Sequence, residues 1–187
     1  LSPLLFRRIH KWVGLILGLQ FVLWTLSGSM MALLDKDEVG GHGDMASHAH
    51  PLAAEAAYVD PARIGGGGAV TGIALRDLAG RPIYELHTDR GIRLADAADG
   101  RPVTIDAAAA RAVAAMANPA PIRDVERLAR PNLEAREHRG PMWRVNFADA
   151  ANSSAYVSAE TGRFLIMRGD TWRTWDFFWM LHNMDYL

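Results

Sequence analysis

The chain has seven histidines and no cysteine, so metal, redox or acid–base chemistry here rests on imidazole and carboxylate. His10 stands where the charges stop, just ahead of an apolar run. Neutral imidazole there could be an axial ligand to a b-type haem held between membrane helices. The competing reading is an interfacial histidine that adds to the positive flank of Arg7, Arg8 and Lys11. His182 lies in "MLHNMDY", where Trp172, Trp175, Trp179, His182 and Tyr186 recur at three and four residues and share one helix face. It reads as a second haem ligand, or as one amphipathic member of an aromatic belt. His42, Asp44, Met45, His48 and His50 cluster in "GGHGDMASHAHP". That donor set suits zinc, copper or iron, but a solvated linker that binds metal weakly is the plainer account. His87 and His138 read as surface residues.

Other chemistry is excluded or missing. Without cysteine there are no disulfides, thiolate nucleophiles, cysteine-ligated iron–sulfur clusters or covalent C-x-x-C-H haem. No G-x-S-x-G elbow, H-E-x-x-H, Walker loop or clean G-x-G-x-x-G occurs. The glycines at 65–68 precede a strand, so they present no helix N-terminus to phosphate. Asp77, Glu85, Asp89, Asp96, Asp99 and Glu160 fall at turns and on strand faces, where solvated carboxylates are the expectation. The net charge of −1, with no basic patch, argues against nucleic acid as a partner.

The elements that must carry these residues follow from the pattern. From Trp12 to Leu34, 23 residues hold no Asp, Glu, Lys, Arg or His, enough to cross ~30 Å of hydrocarbon at ~1.5 Å per residue. The run is longer than the apolar region of a signal peptide, so a retained transmembrane helix is expected over about 12–34. The basic flank before it and the acidic Asp35, Asp37 and Glu38 after it place the N-terminus in the cytoplasm. Trp24 is too deep for an interfacial belt and is expected to face another helix. Gly14 and Gly18 form a small-xxx-small pair, read equally as a packing face or as tolerated glycines.

Residues 1–38 thus form a flank and membrane helix, and 39–51 a linker. Residues 51–64 are a short helix candidate. Val70–Asp77, Pro82–His87 and Ile92–Ala95 alternate as strands, with turn residues between them. The pattern then recurs: a helix over 104–117 begins near Asp106 and stops at Asn118-Pro119. Strands follow at 121–129, 141–149 and 153–167, the last with a turn at Thr161-Gly162. "GRPIYEL" at 80–86 matches "RGPMWRVNF" at 139–147, and "DAADGRPV" at 96–103 matches "SAETGRFL" at 158–165, an offset of about 60 residues. The expected class is α+β. One transmembrane helix precedes two units, 52–103 and 104–168, each a helix plus a three-stranded antiparallel meander. Each unit is too small to bury a core alone, so the two should pack together. Residues 169–187 should form an aromatic membrane-interface helix leading to a further helix.

These strings resemble a known family. The helix, strand, "GRPIYEL" and "ADGRPV" order is similar to a PepSY domain, and "GPMWRVNF" with "YVSAETGRFL" to a second. "RRIHKWVGLILGLQFVLWTLSG" and "FFWMLHNMDYL" resemble the PepSY-associated transmembrane family. The resemblance implies a bacterial inner-membrane protein with a periplasmic PepSY region, linked to iron uptake. Some members are haem-containing reductases of ferric siderophores, and other PepSY domains regulate peptidases. Fold analogy alone fixes none of these.

Two functions are therefore carried forward. One is membrane electron transfer, with b-type haem between helices of the full-length protein and iron or its chelates as substrate. His10 and His182 then serve different haems, because they lie toward opposite ends of a membrane helix. The other is a tethered binding or peptidase-regulatory module whose strand edges accept a protein partner. Either needs the lipid bilayer, and the first also needs further transmembrane helices of the same or another subunit.

Overall fold

The computed structural model describes residues 2–41, 52, 57–64 and 68–185. The first element, α1, is an unbroken helix over Pro3–Leu33. Ser2 caps it, its Oγ accepting the Leu5 N–H (3.3 Å), and Pro3 supplies the preset φ of a first turn. The hydroxyls of Thr25, Ser27 and Ser29 donate back to carbonyls of the preceding turn (2.7–2.9 Å). Polar side chains can therefore sit in an apolar helix without an orphaned donor. The helix is long and apolar enough to cross a membrane. Leu34 turns extended, and Asp35 starts a short helix, α2 (Lys36–Gly40), by accepting the Asp37 N–H at 2.8 Å.

Eight strands follow: β1 (Val70–Leu78), β2 (Arg81–Thr88), β3 (Gly91–Asp96), β4 (Pro102–Val103), β5 (Ile122–Leu128), β6 (Met142–Phe147), β7 (Ser154–Ser158) and β8 (Phe164–Arg168). A helix, α3 (Ala107–Ala117), lies between β4 and β5, and α4 (Asp170–Asn183) ends the described chain. The strands make two antiparallel sheets in simple order, β1-β2-β3-β4 and β5-β6-β7-β8. Each expected meander thus has a fourth strand. In the first sheet it is the two-residue β4. In the second, the run over 153–167 breaks at its turn into the separate strands β7 and β8. The expected helix at 51–64 falls partly outside the described residues. Its described part, 57–64, is helical only as a 3-10 turn at Pro61–Arg63.

The two sheets turn their corners alike. Ala97 N–H donates to the Pro82 carbonyl, Gly100 to Asp96 and Asp96 to Arg101. In the second sheet Ala159 donates to Pro141, Gly162 to Ser158 and Ser158 to Arg163. Asp106 caps α3 through the Ala109 N–H (2.8 Å), as its sequence position implies.

α1, α2 and α4 form one compact unit, and Gly41–Gly169 forms a second. Within the second, one core joins both sheets. Leu78, Ile83 and Leu94 of the first sheet meet Val113 of α3 and Val145, Phe147 and Val157 of the second. Gly162 sits at this junction with φ +69°, and a Cβ there would lie 2.7 Å from Leu78 Cδ1 and 2.8 Å from Ile105 Cδ1. Those methyl groups are packed in the core and have little room to yield. Gly162→Ala should cost about 1–2 kcal/mol for the left-handed backbone and ~1 kcal/mol or more for crowding, read as a lower urea midpoint of the repeat unit.

Candidate functional site

In the helical unit α4 runs back along α1. At one end the Thr171 hydroxyl donates to Glu38 (2.6 Å). At the other, His182 reaches Trp24, Ser27 and Gly28. Its imidazole stacks on the Trp24 ring at a centroid distance of 4.8 Å and an interplanar angle of 23°. Trp24 therefore does face another helix. Gly28 makes the approach possible, because a Cβ there would sit 3.1 Å from His182 Cε1.

The hydrogen bonds choose the tautomer. His182 Nδ1 lies 3.0 Å from the Trp24 carbonyl and 3.1 Å from Ser27 Oγ. A carbonyl only accepts, and the Ser27 hydroxyl already donates to Leu23 O (2.7 Å). Nδ1 must then carry the proton and share it between the two oxygens. In the neutral ring this leaves the Nε2 lone pair outward, with no hydrogen-bond partner among the described residues. A ligating histidine is held the same way, its second nitrogen donating to a carbonyl. Two apolar clefts, of about 220 and 480 Å³, flank the stack and share Gln20, Trp24, His182 and Met184. A neutral imidazole lone pair beside apolar clefts is a donor chemistry that fits haem iron.

His10 is exposed on the first half of α1. It lies fourteen residues from Trp24, about 21 Å along the helix, so it and His182 cannot bind one iron. His42, Asp44, His48 and His50 lie outside the described residues. Among the described residues no three His, Cys, Asp or Glu side chains gather as a metal site.

The repeat unit holds a feature the sequence pattern did not disclose. Glu85, expected as a solvated carboxylate, is 1% exposed. It accepts from Arg76 Nε (2.7 Å) on β1 and from Arg163 Nη2 (3.0 and 3.2 Å) just before β8, and lies 3.1 Å from His87 Nε2. Arg76 also donates to the Thr161 carbonyl, so the cluster ties the first sheet to the second. Burial pushes the Glu85 carboxyl up, but the hydrogen bonds and charges of Arg163 and Arg76 outweigh it and hold it below the usual carboxylate range. The one sequence signal was Glu85's position between Tyr84 and Leu86, in a strand whose two faces are both covered. His138 is also not the solvated residue its charged loop implies, for its Nε2 is buried without a hydrogen-bond partner.

No protein-family model, curated protein or solved structure matches this chain.

Glu85→Ala should cost ~3–5 kcal/mol, because it strands the largely buried Arg76. Arg163→Ala, at a half-exposed position, should cost only about 1 kcal/mol. Glu85's folded pKa lies below its unfolded value of ~4.3. Its contribution is therefore complete above that value and is lost as the pH falls from there through the lower folded value. The urea midpoint should drop as the pH falls below about 4, less steeply in Glu85→Gln.

Proposed function

We propose that this protein is anchored in a bacterial inner membrane by α1 and takes part in membrane electron transfer of the kind that reduces ferric iron or its siderophore chelates. α1 crosses with its N-terminus in the cytoplasm, on the side of Arg7, Arg8 and Lys11, and the two four-stranded units are periplasmic and PepSY-like. The single observation that carries the reading is the His182 arrangement. The Trp24 carbonyl and Ser27 fix its Nδ1–H, Trp24 stacks on its ring and Gly28 admits it. Ser27 is six residues from the end of α1, so the ring lies about 9 Å inside the apolar helix. An imidazole at that depth is costly unless it has work to do.

In this reading His182 Nε2 would hold the iron of a b-type haem, and further transmembrane helices would supply its other protein ligand. The haem, when bound, accepts and passes on single electrons. The chain's own residues orient the imidazole, fix its tautomer and keep water from its face. His10 would serve a separate site toward the cytoplasmic end. A second reading, a tethered binding or peptidase-regulatory module, is favoured by β1, a nine-residue edge strand with no charge before Arg76.

The test is optical. The protein, expressed from its complete coding sequence and purified in detergent, should give a b-type reduced-minus-oxidised spectrum that His182→Ala removes or displaces. Ser27→Ala leaves the Trp24 carbonyl as acceptor and should weaken haem retention by about tenfold. A flat spectrum from well-folded protein made in haem-replete cells would sink the electron-transfer reading.

A further inference from the structure

We propose that the larger of the two clefts beside His182 binds the headgroup of a lipid-soluble quinone. Gln20 is the residue that asks for a ligand there. It lies eight residues from Trp12 and fourteen from Leu34, about 12 and 21 Å from the ends of the apolar run. The hydroxyls of Thr25, Ser27 and Ser29 satisfy themselves on their own helix. The Gln20 amide, with two donors and an acceptor, has no hydrogen bond among the described residues. At bilayer depth no water is present to pair with it, and a bare amide is costly.

The recess around Gln20 is made by the way α4 stops. Met184 takes φ +54°, and the Asp185 N–H bonds back to the Met180 carbonyl (3.0 Å), a helix-ending pattern. α4 therefore does not continue over α1 past Trp24, and Leu17 and Gln20 are left exposed. What remains is a cleft of about 480 Å³ in which two amides, Gln20 and Asn183, meet two aromatic rings, Phe21 and Trp24. Asn183 Nδ2 spends one hydrogen on the Trp179 carbonyl (3.1 Å) and has a second to give. Phe21 and Trp24, three residues apart on one side of α1, are 66% and 51% exposed.

The chemistry of the lining selects the occupant. The volume and the few polar groups among apolar ones are those of a small-molecule site. No Asp, Glu, Lys or Arg lines the cleft, so a charged headgroup finds no counter-charge. A lipid acyl chain would leave both amides bare. A flat, uncharged ring bearing carbonyl oxygens stacks on an aromatic wall and accepts from the amide N–H groups. Its reduced form, bearing hydroxyls, donates to an amide oxygen instead. A quinone has those properties and reaches the site through the bilayer. A neighbouring helix is the other way to satisfy Gln20. Gly18, which would admit one closely, is two residues away and so on nearly the opposite side of α1.

The inference rests on α1 lying in the bilayer, as proposed above. It leaves His182 Nε2 to the iron and holds or fails whatever the haem spectrum shows. The full chain, extracted in detergent and freed of quinone, should bind radiolabelled decylubiquinone saturably in equilibrium dialysis. n-Decylbenzene, the same tail on a ring without oxygens, should compete about tenfold less well. Gln20→Leu should weaken binding about tenfold with the far-UV circular dichroism unchanged, and Phe21→Leu should weaken it severalfold. Uptake that rises without saturation, equal competition by decylbenzene, or indifference to Gln20→Leu would overturn the proposal. So would a dimer that Gln20→Leu abolishes, since a second copy would then be the partner of the amide. A chain released from membranes without detergent would overturn the anchor and this site together. A chain that needs detergent but shows no saturable binding would overturn this site alone.

Discussion

A four-stranded sheet whose longest strand has nine residues has two faces and too little chain to cover both. Most of the repeat unit's architecture answers that constraint. Ile83, Leu94 and Leu78 of one sheet find their cover in α3 and in Val145, Phe147 and Val157 of the other. The outer face of the first sheet is closed by Tyr58 and Ile64 from the preceding segment, held by the Tyr84 hydroxyl on the Val59 carbonyl (2.9 Å). The outer face of the second is closed by the segment around Ala135. Gly162 follows from the same constraint. Where the turn before β8 meets Leu78 and Ile105 there is no volume for a side chain.

Glu85 belongs to that junction but adds something different. A buried carboxylate between two arginines is a weak source of net stability, since its desolvation offsets most of its attraction. What it supplies is a tie between the sheets: both arginines reach the same carboxylate while Arg76 also meets the Thr161 carbonyl. The corresponding turn of the first sheet ends in Arg101, an exposed side chain paired, among the described residues, with its neighbour Asp99. The matching turns thus carry arginines with different roles, and the asymmetry gives the pair of sheets a direction that the repeat alone would not.

Much of this was legible in the sequence, for reasons that can be named. Short strand-like runs bounded by turn residues placed β1, β2, β3, β5 and β6 to within two residues at each end, because turn chemistry is local. Asp106 and Asn118-Pro119 bracketed α3 because caps and stops are local chemistry. The 23-residue uncharged run gave α1, and the depth of Trp24 in it implied a helical neighbour. What was illegible depended on contacts distant in sequence. Glu85 looks like any strand carboxylate until Arg163, far along the chain, is brought to it. The break between β7 and β8 was visible as a turn, but whether one strand or two resulted depended on pairing. The link of His182 to Ser27 and Gly28 spans more than 150 residues, and no local pattern announces it.

The two histidines of the helical unit show how position and partner decide chemistry. His10 has charged neighbours on an exposed helix surface. His182 has one nitrogen committed to oxygens that only accept and the other facing apolar clefts. Leu, Phe and Met side chains line those clefts. A lone pair so placed suits a Lewis acid, which needs no proton and tolerates an apolar surround. The proposed electron transfer therefore rests on His182 rather than on the histidine set among the N-terminal charges.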